Sequence, residues 1–231
     1  MAAQYCQEIR TVQPYGPYHL VGWSMGGVVA YEMAQQLSQQ GETVALLGLI
    51  DSSIYRSVAA TDAMQHAPMN NPEFNQSWLL MELLKDLAGQ MGQALPSELQ
   101  HPDTFPSSLA QALELGQQHQ LIPIDVTFHH LERLWQIFQT NMLALSQYCP
   151  QRYSGSAFLI GADKSMAQAD NNPSERASNA TNLGWEQISW EQIIQGEFQQ
   201  FTIPGDHFSL LREIDQITII AHHLKSYISK S

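Results

Sequence analysis

The stretch YHLVGWSMGGVVAYEM, Tyr18 to Met33, constrains the fold of this chain more than any other. Tyr18 to Trp23 is short and apolar, follows the turn residues Pro14, Gly16 and Pro17, and reads as a buried strand. Met25 to Gln40 has helical periodicity. Val28, Val29, Met33 and Leu37 mark its inner face, and Gly41 is a natural residue just past its end. Between strand and helix, Gly22-Trp23-Ser24-Met25-Gly26 matches G-x-S-x-G. Val44 to Asp51 is a second strand, apolar along its length as when both sheet faces are covered. Strand, helix, strand in this order predicts a right-handed parallel unit.

The pentapeptide has a chemical reading. A serine on a sharp strand-to-helix turn presents its hydroxyl at the top edge of a sheet, the geometry of a nucleophile elbow. Small residues are expected at Gly22 and Gly26, where side chains would collide with the neighbouring strand and helix. The helix N-terminus adds positive potential where an oxyanion would form, and the backbone N–H of Met25 is the expected oxyanion donor. The competing reading is a glycine-rich turn that only packs a helix on a sheet.

The rest of the chain supplies the context. Arg56 to Tyr148 contains no convincing strand. Ser77 to Met91 and Ser108 to Gln118 look helical, and Asp125 to Tyr148 is the best helix, with Leu131, Leu134, Trp135, Phe138, Met142 and Leu145 on one face. Such a block between the strands of a parallel sheet reads as a lid or cap. Ser156 to Ala162 and Glu197 to Ile203 resume the strand pattern, separated by a polar loop, Asp163 to Asn182. A helix from about Glu213 to Ile228 closes the chain.

A serine nucleophile needs a base, and the base needs an orienting acid. Of the nine histidines, His19 lies within the Tyr18 to Trp23 strand, and His66, His101 and His119 fall in the helical block or its loops. His129 and His130, and His222 and His223, lie on helices. His207 alone follows a strand and a turn, Ile203-Pro204-Gly205-Asp206, on a loop at the sheet edge where a base could reach the elbow. Asp51 and Asp163 each end a parallel strand at that same edge, and spacing does not choose between them. Asp206 ranks lowest, because sequence neighbours seldom orient each other's rings.

Composition narrows the function classes. With a formal charge of −12 and ten Lys and Arg in 231 residues, neither a nucleic-acid stripe nor attraction to an anionic membrane is expected. Cys6 and Cys149 form no CxxC pair, so no disulfide framework and no metal site is expected. No apolar run approaches a membrane span, and no signal peptide is visible, which makes a cytoplasmic location the default.

The stretch QPYGPYHLVGWSMGGVVAYEMAQQLSQQGETVALLGLIDS strongly resembles the type I thioesterase domains that end non-ribosomal peptide synthetases. Further matches are the helix from Trp135 to Tyr148, Asn182-Leu183-Gly184-Trp185, and Ile203-Pro204-Gly205-Asp206-His207-Phe208. The resemblance implies an α/β-hydrolase with a mostly parallel sheet and a helical lid insertion at about 56–148, in one domain. It implies transfer of an acyl or peptidyl chain from the phosphopantetheine arm of a carrier protein domain to Ser24, then release to water or to an amine or hydroxyl of the chain itself, as in secondary-metabolite biosynthesis. The family places its acid 27 residues past the serine, which selects Asp51; Asp163 stays as the fallback, and the family base matches His207. No metal or cofactor of this chain's own is implied, because the phosphopantetheine belongs to the partner. The lid should bound an apolar pocket for the acyl chain. Relatives carry several strands and a helix ahead of the segment that opens here, including the loop with the second oxyanion donor. The sequence therefore reads as an N-terminally incomplete domain that is a poor catalyst alone. A stand-alone editing thioesterase, with its acid at Asp163, and a non-catalytic carrier-binding fragment are the alternatives.

Overall fold

The computed structural model of the protein describes residues 1–57, 72–163 and 185–229. The chain divides into two compact units. The first comprises residues 1–56, 149–175 and 187–231; the second comprises residues 57–148 and 176–186.

The first unit is a parallel sheet flanked by helices. Helix α1 (Ala2–Val12) leads into strand β1 (Tyr18–Trp23), then α2 (Met25–Gln39) and β2 (Val44–Ile50). The short strand β3 (Ile54–Ser57) leaves the sheet. In order β1-β2-β4-β6, the four-stranded sheet is completed by β4 (Ala157–Asp163) and β6 (Phe198–Pro204). All its pairings are parallel. Trp23 lies opposite Ile50, Ile50 opposite Ile160, and Asp163 opposite Pro204, so all four C-terminal ends meet at one edge.

Side-chain alternation explains which helix covers which face. Gly22 and Leu49 are in register and face α2. Leu46 and Ile50 face the other way and join Phe158, Ile160, Ile203 and Leu210 in one cluster. The closing helix of the chain adds Ile220, and its Tyr227 ring stacks on Phe158 with centroids 4.5 Å apart. β1 differs from expectation. It alternates, with Tyr18, Leu20 and Gly22 buried and Val21 42% exposed; it is half-covered, not a buried strand. α2 buries Val28, Met33 and Leu37 as expected, and also Tyr31, which is completely buried.

The helical excursion forms the second unit. Its described part contains α3 (Pro72–Gln90), two single-turn 3-10 segments, α4 (Leu109–Gln118) and α5 (Phe128–Gln147). Leu80, Met81, Leu84, Leu99, Ala112, Leu121, Ile122, Leu131 and Trp135 make a core of its own. The helix starts have local causes. Ser108 Oγ accepts from the Gln111 N–H (3.2 Å). Thr127 Oγ1 accepts from the His130 N–H while His130 Nδ1 accepts from the Thr127 N–H, a reciprocal cap. That cap starts α5 at Phe128, three residues after the expected Asp125. Leu131 and Trp135 face the core as expected, but Leu134 is 41% exposed, because the contact stripe is narrower than the apolar run.

Three short elements escape the sequence reading. β3 pairs with β5 (Trp185–Ile188) in a separate two-stranded sheet, and a single turn, α6 (Trp190–Ile193), follows. α7 (Ile214–Ile228) ends the described chain close to its expected bounds. Most of the polar loop after Asp163, and the Asn182-Leu183-Gly184 match, lie outside the described residues.

Candidate active site

The site is assembled at the C-terminal edge of the sheet, entirely within the first unit. Ser24 sits between β1 and α2 with φ 53° and ψ −127°, a left-handed backbone that a non-glycine residue occupies at a cost of about 1–3 kcal/mol. Two hydrogen bonds hold it there. The Ser24 N–H donates to the Ile50 carbonyl (2.9 Å), and the Ser24 carbonyl accepts from the Gly27 N–H (3.0 Å). The strand thus continues its ladder to Ser24 and the helix begins at once. Met25 opens α2, so its N–H belongs to the first turn, where a helix leaves donors without internal partners.

The glycines have unequal roles. A Cβ on Gly22 would lie 2.1 Å from the Gly26 carbonyl oxygen, so the helix can approach the strand only if residue 22 has no side chain. A Cβ on Gly26 would meet nothing within 4 Å among the described residues. The expected collision at Gly26 is therefore not found. Gly27 takes that role instead, since its Cβ would meet Ser52 Oγ at 2.5 Å.

Asp51 follows β2 with φ 40°. Its N–H donates to the Ile160 carbonyl (2.7 Å), and its Oδ1 accepts from the Ala162 N–H (3.1 Å). Oδ2 lies 2.6 Å from His207 Nδ1. The two side chains are 16% and 14% exposed, so water screens this pair only weakly. The carboxylate is thus fixed from the strand side by backbone and spends its other oxygen on the imidazole. That bond requires the proton on Nδ1 whenever the ring is neutral, which leaves Nε2 as an acceptor. Asp163 ends β4 opposite Pro204; the carboxylate bonded to His207 is that of Asp51. Among the described residues the Ser24 hydroxyl makes no hydrogen bond to His207.

Asp206 has a different job from orienting the ring. Its Oδ1 accepts from the N–H groups of Phe208 (2.9 Å) and Ser209 (2.8 Å), while its own N–H donates to Ser209 Oγ (2.7 Å). It folds the loop on which His207 stands. An imidazole held this way can remove a proton from a hydroxyl and return it to a leaving group.

The model of the Thioesterase domain family matches residues 1–228. The chain belongs to that family. A non-reducing polyketide synthase from Pseudevernia furfuracea is 27% identical over 211 residues, covering 91% of this chain and 9% of the relative. A dimodular nonribosomal peptide synthase from Bacillus subtilis (strain 168) is 62% identical over 52 residues, 22% of this chain and 2% of the relative. The thioesterase domain thus spans a small fraction of the length of the curated relatives it matches. Among solved structures, a four-domain nonribosomal peptide synthetase bound to AMP and glycine has a TM-score of 0.65 at 26% identity, covering 98% of this chain and 15% of that one. The NocB thioesterase domain from the nocardicin cluster has a TM-score of 0.50 at 21% identity, covering 99% and 72%. The fold is that of the α/β-hydrolase thioesterases.

Sequence reasoning missed three supports of this candidate site. The Trp190 Nε1–H donates to the Ser52 carbonyl (2.8 Å), anchoring the turn just after Asp51. Gly27 admits Ser52 against α2. Trp23 lies against His207. The only sequence signal was a tryptophan beside the serine; neither partner is near in sequence. Among the described residues no helix is long and apolar enough to cross a membrane, and no group of His, Cys, Asp and Glu could hold a metal ion.

Proposed function

We propose that this chain is the catalytic part of a serine thioesterase that releases an acyl or peptidyl chain from the phosphopantetheine arm of a carrier protein domain. The observation that carries the reading is the 2.6 Å contact between His207 Nδ1 and Asp51 Oδ2, beside a serine in a strained elbow. His207 Nε2 takes the Ser24 proton, and Ser24 Oγ attacks the thioester carbonyl. The oxyanion forms near the Met25 N–H at the start of α2. The C–S bond then breaks, and the thiol leaves with the proton from His207. Water, or an amine or hydroxyl of the bound chain, next attacks the acyl-Ser24 ester with His207 again as base. Asp51 holds the tautomer and stabilises the imidazolium in both halves. The synthetase relatives support a carrier domain as the partner, and their products support a role in secondary-metabolite assembly.

Intact-mass analysis after treatment with a fluorophosphonate probe tests this reading. One adduct is expected, absent in Ser24→Ala, together with turnover of a peptidyl thioester. A folded sample that takes up no probe overturns it.

A further inference from the structure

Trp23 does more at the site than fill space. Its indole stacks on the His207 imidazole with centroids 4.7 Å apart and planes 27° from parallel. Its Nε1–H donates to the His207 backbone carbonyl (3.0 Å). It also meets the Phe208 ring edge-on, with centroids at 6.0 Å. One side chain thus grips two consecutive residues of the loop.

The need for such a grip follows from the rest of the site. A single hydrogen bond from Nδ1 to Asp51 fixes one point of the imidazole and leaves the ring free to swing about that bond. A flat surface against one face removes the swing. The bond to the carbonyl fixes the backbone from which the ring hangs, and the Asp206–Ser209 turn holds the loop from its other side. Trp23 is covalently joined to Ser24, so whatever sets the position of the nucleophile also sets the position of this surface.

We propose that Trp23 is a positioning residue that aims His207 at Ser24, the indole plane fixing the ring and the indole N–H fixing its backbone. This rests on the reading of His207 as the thioesterase base. A purely packing role is the alternative, since Trp23 also packs against the cluster of Ile50, Ile203 and Leu210. Either role would lose stability on truncation, so stability does not separate them.

Two variants separate them. Trp23→Leu keeps an apolar side chain and loses the plane; Trp23→Phe keeps a plane and loses the N–H. With a peptidyl thioester, Trp23→Leu is expected to lower kcat about a hundredfold, the usual scale for a misaimed group, with KM unchanged within about twofold. Trp23→Phe should recover to within about tenfold of the parent. Proton NMR gives a readout independent of turnover. The His207 ring protons, lying over the indole, should be shifted upfield in the parent and in Trp23→Phe, and return downfield in Trp23→Leu. Assignment is by their loss in His207→Gln. Equal losses in both variants, a loss confined to KM, or unshifted ring protons in the parent each overturn the proposal. If Trp23→Leu does not fold, Trp23→Phe decides alone through its ring protons and its kcat. Absence of a Ser24 adduct in the parent would instead overturn the thioesterase reading, while the ring-proton shifts still decide whether the indole holds the imidazole.

Discussion

In the helical unit, Leu80, Met81, Leu84 and Leu131 are fully buried among other apolar side chains. At the C-terminal edge of the sheet, Ser24 and Asp51 adopt positive φ, and named polar atoms are met one by one. Only three non-glycine residues among those described have positive φ, and two of them are here. The first region is held by burial, which depends on volume and tolerates exchange of one apolar residue for another. The second is held by direction, which depends on single atoms. Substitutions should therefore separate stability from chemistry cleanly.

The sharpest break is at Asp51, the proposed acid. Asp51→Asn should lower kcat about 10⁴-fold, through loss of the tautomer that keeps Nε2 an acceptor, with little change in melting temperature. Asp163→Asn should cost no more than a few fold. Thioester turnover and thermal unfolding of both variants check this, and a larger loss at Asp163 would move the acid to β4. In the helical unit the pattern should reverse. Leu84→Ala should destabilise by about 2–5 kcal/mol, read by denaturant unfolding, while the rate of probe labelling at Ser24 stays near that of the parent.

The paired glycines sharpen the comparison at closer range. Gly22→Ala forces a Cβ against the Gly26 carbonyl and should cost about 3 kcal/mol, at the upper end of overpacking penalties. Gly26→Ala meets open space and should change stability by less than about 1 kcal/mol, in the stabilising direction expected for alanine in a helix. Equal effects would mean that the elbow is not as tight as described.

The last effect is confined to the alkaline range. Burial, with help from the nearby Glu32, pushes the Tyr31 phenol well above its ordinary value; burial also raises Tyr153. The folded state thus keeps the proton that the unfolded chain loses near pH 10. Stability conferred by the neutral phenol is complete below that pH and declines as pH rises above it, by up to about 1.4 kcal/mol per unit per phenol. Tyr31→Phe should flatten the decline measured by unfolding between pH 9 and 11, at a cost near neutrality of about 1 kcal/mol for the lost bond to the Gln151 carbonyl.

These contrasts follow the line between what was legible in the sequence and what was not. The strand–elbow–helix was legible because its signals are local: Gly22 and Ser24 are two residues apart, and the apolar periods on either side change from strand to helix. His207 was legible by its place after a strand and a turn. The choice between Asp51 and Asp163 was not available from spacing, because parallel strands bring both to one edge; only the family resemblance favoured Asp51. The contact itself spans 156 residues, and the Trp23 bond spans 184. No local pattern encodes either. Tyr31 was overlooked because a phenol is ordinarily half-exposed, and its burial goes with carbonyls 120 and 162 residues further along the chain. Leu134 erred the other way, since helical periodicity marks an apolar face wider than the surface its neighbours cover.

The left-handed backbone of Ser24 has a consequence for how the protein can change over generations. Glycine would occupy φ 53° without strain. If Ser24 acts as the proposed nucleophile, the residue needed for turnover at this position differs from the residue the fold would prefer. A lineage released from selection on catalysis would gain stability by a single change to glycine here, whereas most changes elsewhere lose it. Serine at position 24 is thus a feature that drift alone would tend to erase, and one that only the continued use of its hydroxyl would retain.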